Sequence, residues 1–225
     1  MSSDLAPLFV LALVAVVAVA GFGLHQAHKR REEMAAFAAT HGWTHTARDN
    51  RWTRRYDGPP FGRGHSRQAT NILQGQHDGR PMVAFDYSYK ITTGSGENRS
   101  TTTYHHSVIG LGTGTRLPAL SVTPENFFGR FVGRITNRDI ELESEDFNRA
   151  FTVTCPDPKF AYDVLHPRTM ELLLRSRDLA WRFEGDTLLA VSSGKHSPAE
   201  VTRVLGVLDA VLDGIPEFVW REVRG

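Results

Sequence analysis

Asn71-Ile-Leu-Gln-Gly-Gln-His77-Asp78-Gly79-Arg80-Pro-Met82-Val-Ala-Phe85-Asp86-Tyr87-Ser-Tyr89 reads as two strands joined by a tight turn. Asp-Gly between two apolar runs is a strong hairpin signal, because both central positions of such a turn need a positive φ. The strands are expected at 71–76 and 82–89. Side chains alternate along a strand, so Val83, Phe85, Tyr87 and Tyr89 share one face while Asp86 and Ser88 share the other. A polar loop, 92–102, leads to a third strand at 103–111 and a short one near 120–122. Strands in hairpin succession imply an antiparallel sheet.

Downstream the chain changes rhythm. Thr123-Pro124, Asp157-Pro158 and Ser197-Pro198 each pair a capping residue with proline at the first helical position, and Glu200 completes a capping box at the last. The final helix lays Val201, Val204, Leu205, Leu208, Val211 and Leu212 on one stripe and stops at Gly214. Another helix is expected from Pro167 through Leu174. Residues 139–143, 151–155, 179–183 and 187–191 alternate apolar with polar and read as strands, with Trp181 and Phe183 facing in. No βαβ rhythm is present, so the fold class is α+β, one domain over 43–225 with a mainly antiparallel sheet and flanking helices.

Upstream, residues 5–24 carry no charged side chain. Twenty residues at about 1.5 Å each span roughly 30 Å, the thickness of a bilayer's hydrocarbon core, and predict an N-terminal transmembrane helix. Leu5, Phe9, Leu13, Val17, Phe22 and Leu24 would anchor it in the bilayer. Lys29, Arg30 and Arg31 follow, whereas residues 1–4 bring no basic side chain, which predicts a single-pass protein of the cell membrane with a short external N-terminus and a cytoplasmic domain. A cleaved signal peptide is the rival, but it lacks a basic start and its apolar core is too long. Residues 25–42 form a basic helical neck that ends at Gly42.

The composition narrows the function classes. A formal net charge of +1 gives no overall basic bias, so no nucleic-acid partner is expected. A single cysteine, Cys155, rules out an internal disulfide, and its strand face with Phe151 and Val153 makes it a core residue rather than a thiolate.

Ten histidines invite a metal reading. His105 and His106 are neighbours on a strand and point to opposite faces, so they cannot share an ion. No H-E-x-x-H and no paired C-x-x-C occurs, and the glycines at 110, 112 and 114 lack the spacing and following helix of a dinucleotide loop. No catalytic residue, metal or cofactor is therefore assigned. The polar cluster Asp86, His105 and His106 is where hydrolase chemistry would sit, and a metal site assembled by the fold would draw on His105 with Asp86 or His77. Asp139, Glu141 and Glu143 form an acidic row with Arg130, Arg134 and Arg138 nearby as plain charge partners.

As a whole the chain resembles a family of bacterial membrane proteins, common in actinobacteria, that carry a domain of unknown function. The resemblance rests on Asn71-Ile-Leu-Gln-Gly75, Phe85-Asp-Tyr-Ser-Tyr89, Leu117-Pro118, Ile140-Glu-Leu-Glu143, Glu145-Asp-Phe-Asn148, Phe151-Thr-Val153 and the helix 160–165. It implies a membrane-tethered domain without assigned activity or agreed site residues.

The leading functional expectation is a non-enzymatic, membrane-anchored module that binds a protein partner, with the bilayer as its second partner through residues 5–24. The glycine-, proline- and arginine-rich loop 48–67 offers Arg54, Arg55, Tyr56, Phe61, Arg63 and His65 as the candidate interaction surface. The alternative is a sensor that takes lipid or a small ligand in a pocket lined by Tyr87, Tyr89 and Tyr104. A hydrolase comes last.

Overall fold

The hairpin is where the sequence places it, and the sheet grows around it. The computed structural model of the protein describes residues 6–125 and 140–224. Strand β2 (His65–His77) turns at Asp78 and Gly79 into β3 (Arg80–Thr93), and both turn residues hold positive φ values of 46° and 78°. Both strands outrun the expected spans, because the flanking polar residues still pair across the ladder from His77 opposite Arg80 to His65 opposite Lys90. β4 (Ser100–Gly112) pairs with β3 along its length, which shortens the expected polar loop 92–102 to a tip.

Around this core stand β1 (Thr44–Arg48), β5 (Ser121–Pro124), β6 (Phe151–Thr154), β7 (Ala180–Glu184) and β8 (Thr187–Ser193). They complete an eight-stranded sheet of order β1-β2-β3-β4-β8-β7-β5-β6, antiparallel at every pairing. The helices are α1 (Ala6–Thr40), α2 (Glu145–Ala150), α3 (Pro158–Val164), α4 (Pro167–Leu174), α5 (Pro198–Gly214) and α6 (Glu217–Arg224). Asp157 and Ser197 cap α3 and α5 with their side chains, as the Asp-Pro and Ser-Pro signals predict.

Each sheet face buries its own cluster. On one, Leu73, Met82, Ala84, Ile109, Leu111, Leu188 and Ala190 pack with Met34 and Ala38 of α1 and the Val201–Leu212 stripe of α5. On the other, Ala69, Ile72, Val83, Phe85, Tyr87, Tyr89 and Val108 lie under Tyr56 and Phe61. The alternation along β3 is thus the division of the molecule into two cores.

Three expectations are corrected. The predicted transmembrane helix is not found: among the described residues no helix is long and apolar enough to cross a membrane. The apolar run is not an element by itself. It continues unbroken into the charged neck as one 35-residue helix, α1, whose C-terminal half packs on the sheet through Met34 and Ala38. Leu5 lies outside the described residues, as do the side chains of Phe9, Leu13 and Leu24, while Val17 and Phe22 are exposed. Pro124 is not the first residue of a helix: it closes β5 opposite Phe151, Glu125 enters a 3₁₀ turn directly after it, and the rest of the expected helix lies outside the described residues. Residues 140–143 are not a strand. The Asn148 side chain binds both Leu142 N–H and Leu142 C=O, which holds that segment as an irregular cap over α2. Asp139 and the arginines at 130, 134 and 138 lie outside the described residues.

Gly75 marks how closely α1 is seated. Trp43, just past the helix end, is buried, donates its indole N–H to Gln76 C=O at 2.8 Å and packs edge-on against Phe37. A side-chain carbon on Gly75 would collide with the Trp43 ring. Gly75→Ala is expected to lower stability by about 1–3 kcal/mol, the usual cost of overpacking. Urea unfolding followed by tryptophan fluorescence measures it, with the Trp43 environment changed already in the native baseline.

Candidate functional site

Asp86 sits in the middle of β3 on the face that meets α1, with only 4% of its side chain exposed. A carboxylate so placed needs partners from every side, since an unpaired buried charge is costly. Arg30 reaches it from α1 with two contacts, Nη1 to Oδ2 at 2.5 Å and Nη2 to Oδ1 at 3.1 Å. Asn71 donates to Oδ2 at 2.9 Å, and the His196 backbone N–H donates to Oδ1 at 3.2 Å. Arg30 also donates to the His196 carbonyl. Three distant pieces of chain, α1, β2 and the β8–α5 turn, are thereby fastened at one carboxylate.

Local backbone makes this possible. The β2–β3 register slips between Thr70 and Leu73, and Asn71 takes a φ of 49° in that bulge. The bulge turns Asn71 towards the face of Asp86, which a regular strand would deny it. Arg30, Met34 and Ala38 stand four residues apart on one helix stripe, so the ion pair and the apolar contacts belong to the same face of α1.

The His196 ring is buried in this junction. Its Nδ1 lies 3.3 Å from Asp86 Oδ1, yet neither ring nitrogen makes a hydrogen bond among the described residues. Burial holds its pKa down to about 4, against the pull of Asp86 and with help from Arg30, so the ring is neutral near pH 7. His106 is likewise lowered to about 4, by burial first and by His105 second, with a backbone contact to Ser192 opposing.

The polar cluster Asp86, His105 and His106 is split as the strand geometry predicts. His106 stacks on Tyr89 at 5.6 Å on the aromatic face. His105 is exposed, with its pKa lowered by burial first, by Lys195 next, and Asp86 opposing. Asp86 is committed to Arg30 and Asn71. The three do not converge on a point where a substrate could lie between them.

The segment 49–63 lies across the aromatic face. Asp49 caps a 3₁₀ turn, Asn50–Arg54, and Trp52, Tyr56 and Phe61 descend onto Phe85 and Tyr87. Arg182 of β7 fastens it, with Nη1 on Pro59 C=O at 2.9 Å, Nη2 on Asp57 C=O at 2.6 Å and its guanidinium 6.0 Å from the Phe61 ring. This is a cover for the second core rather than a free loop. The pocket expected at Tyr87, Tyr89 and Tyr104 is filled: Phe61 stands 4.9 Å from Tyr87, and Tyr104 stacks outside on Tyr89 at 5.2 Å.

The six interaction-loop residues therefore separate. Tyr56 and Phe61 are buried and hold the cover down. Arg55 pairs with Asp186 at 3.3 Å and stacks over Tyr56. Arg63 is half-buried, while Arg54 and His65 meet in an open cleft of about 780 Å³. Elsewhere His77, Asp78 and Asp209 bring possible metal-ligand atoms within 4.8 Å of one another, but Arg80 already pairs with Asp209 and with Asp213.

Of the residues at the Asp86 junction, Arg30 reads in sequence as one of three topology-setting charges, and Asn71 and His196 draw no notice. The four-residue spacing from Arg30 to Met34 and Ala38 is the one signal that separates it from Lys29 and Arg31, which are exposed.

The class these features define is an α+β domain built on one eight-stranded antiparallel sheet, with a long N-terminal helix ion-paired to a central strand. No family model matches the chain, and no curated protein matches it. Among solved structures it is similar to the crystal structure of the mycobacterial trehalose monomycolate transport factor A, TtfA, at a TM-score of 0.59. That likeness covers 83% of this chain and 96% of that one, at 14% identity. At such identity it shows a shared fold alone.

Asp86→Ala is expected to cost about 3–5 kcal/mol, because Arg30 then stays at the junction without its counter-charge. Arg30→Ala should cost a similar amount, and the double variant less than the sum, in a urea-unfolding mutant cycle. The histidines set a pH dependence. In the unfolded chain each takes its proton near pH 6.5, in the fold only near pH 4, so acid favours unfolding. Stability should fall between those values by up to about 1.4 kcal/mol per pH unit for each histidine. His196→Asn should remove one histidine's share of that slope, measured by chemical denaturation at pH 4.5 to 7.5.

Proposed function

We propose that the protein is a non-enzymatic, lipid-associated domain in which the N-terminal half of α1 meets lipid. The observation that carries the reading is the exposure of large apolar side chains there: Val14 at 60%, Val17 at 63%, Val19 at 73% and Phe22 at 64%. At 100° per residue these four point to more than one side of the helix, so a single protein groove would not cover them all. A lipid surface, being deformable, can meet side chains that point more than one way. Lys29 and Arg31 follow where anionic headgroups would meet them, which favours the cytoplasmic side of the cell membrane as its place.

The Asp86 junction gives this reading its mechanical sense. A helix embedded among lipids and ion-paired to a central strand would hold the sheet domain at a fixed attitude to the surface. The name of the structural neighbour, a trehalose monomycolate transport factor, supports a role connected with lipid transport. The commitment of Asp86 to Arg30 and Asn71, and the separation of His105 from His106, support a binding role over catalysis.

Flotation of the purified full chain with phosphatidylcholine vesicles tests it. The chain is expected in the floating fraction, and Val17→Asp with Phe22→Asp should cut the floated share at least tenfold. A wild-type chain left at the bottom, or a double variant that floats equally, overturns the reading.

A further inference from the structure

The cleft between the 3₁₀ turn and the start of β2 has the chemistry of an anion site. Arg51, Arg54 and Arg67 line it together with His65, Ser66 and Thr53, and no carboxylate is among its lining residues. Arg51 is answered by Asp49, which chelates it from behind at 2.8 Å and holds its pKa up through that hydrogen bond. The other two guanidiniums have no such answer. Arg54 makes no hydrogen bond or ion pair among the described residues, and Arg67 binds only the backbone carbonyls of Arg63 and Gly64, at 3.2–3.4 Å.

Two cations that line one cleft without a carboxylate there repel each other, and an anion bound between them removes that cost. Arg67 is also preset. Carbonyls that fix its Nε and Nη2 leave Nη1 for a ligand, so little side-chain entropy remains to be lost on binding.

The backbone adds to this. Gly62, Gly64 and Ser66 hold positive φ values of 76°, 57° and 52°, and the residues between them do not. Such alternation turns successive N–H groups to one side, the arrangement of anion-binding concavities. The β2–β3 register breaks between His65 and Gln68, so the ladder does not claim the backbone at Ser66 and Arg67. Gly64 admits no substitute, because a side-chain carbon there would strike Lys90 C=O and the Tyr89 ring. The tight crossing of β2 over β3 shapes the cleft wall.

We infer that this cleft binds a phosphate group, gripped by Arg54 and Arg67 with the Ser66 hydroxyl as a further donor. The Arg54 guanidinium can match two phosphate oxygens at once, Arg67 adds Nη1, and about 780 Å³ leaves room for the glycerol or sugar that carries the phosphate. The phosphate is that of a soluble phosphomonoester or of a lipid headgroup. The inference goes beyond the lipid reading, which concerns α1, and stands or falls apart from it.

The test uses the full chain, Arg54→Glu, Arg67→Gln, and Arg203→Glu as a charge-matched control, since Arg203 pairs with Asp178 away from the cleft. Calorimetry with glycerol 3-phosphate and with inorganic phosphate reads the soluble source. Flotation with phosphatidylglycerol against phosphatidylcholine vesicles reads the lipid source as the increment due to the anionic headgroup, while phosphatidylcholine alone reads α1. Saturable binding of glycerol 3-phosphate, weakened at least tenfold by Arg54→Glu and by Arg67→Gln but within twofold of wild type in Arg203→Glu, establishes the site for a soluble ligand. An increment on phosphatidylglycerol with that same pattern of variants establishes it for a headgroup. Absence of both, or an equal loss in Arg54→Glu and Arg203→Glu, overturns it.

Discussion

The arrangement of this molecule depends on one buried carboxylate. Asp86 stands among Ala84, Ile109 and the apolar stripe of α5 in a region that would otherwise close as plain hydrocarbon. Burying a charge there gains little stability over an apolar residue, because desolvation offsets most of the attraction. What it brings is position. An apolar helix could slide along the sheet with small changes in buried area, whereas Arg30 can satisfy Asp86 at one place only. Met34 and Ala38 then pack one and two turns further down, and Trp43 closes against Gly75.

The other face of the same strand is organised by a different force. Phe85, Tyr87 and Tyr89 would be a broad apolar surface, and 49–63 covers it with Trp52, Tyr56 and Phe61 in tilted and stacked contacts of 4.9–6.5 Å. Burial pushes the Tyr56 and Tyr87 hydroxyls up, which keeps both neutral across any physiological pH. Arg182 anchors the cover by carbonyls and a ring face, and among the described residues Arg54 at its rim takes no part in that anchoring. The covering segment thus has an inner side that folds and an outer side that can bind.

How far this was legible in the sequence follows from the range of each signal. Asp78-Gly79, Asp157-Pro158 and Ser197-Pro198 are local chemistry, and each stands where it was read. So does the two-faced alternation of β3, and so does that of β4, which separates His105 from His106. Thr123-Pro124 carries the same local signal, but pairing with β6, distant in sequence, makes Pro124 a strand end, and the helix expected after it lies outside the described residues. Residues 140–143 alternate like a strand but are held by Asn148 instead, and alternation alone does not tell the two apart. The apolar run 5–24 was read as a membrane-spanning helix with a helical neck behind it; the continuous helix is there, but among the described residues none is long and apolar enough to cross a membrane, and the second half of α1 packs on the sheet. At the candidate site, Arg54 and His65 were found from the loop's composition. Arg51 and Arg67 were not, since only the fold brings the two ends of that segment together.

β3 also explains why the two proposed surfaces are separate. Asp86 faces α1, so whatever α1 contacts is transmitted to the sheet as the attitude of the whole domain. Tyr89 faces the other way and stands against the Gly64 backbone, beside the cleft. A single residue step along one strand changes which surface is addressed. The strand is held on one side by an unbroken ladder to β4 and on the other by a ladder to β2 that is interrupted at two bulges, so it has little freedom to tilt, and load on α1 should leave the cleft geometry intact. A domain built this way can be held at a lipid surface by one side and still present an unchanged cationic cleft on the other. Attachment and recognition are then independent, and either can be altered by substitution without disturbing its counterpart.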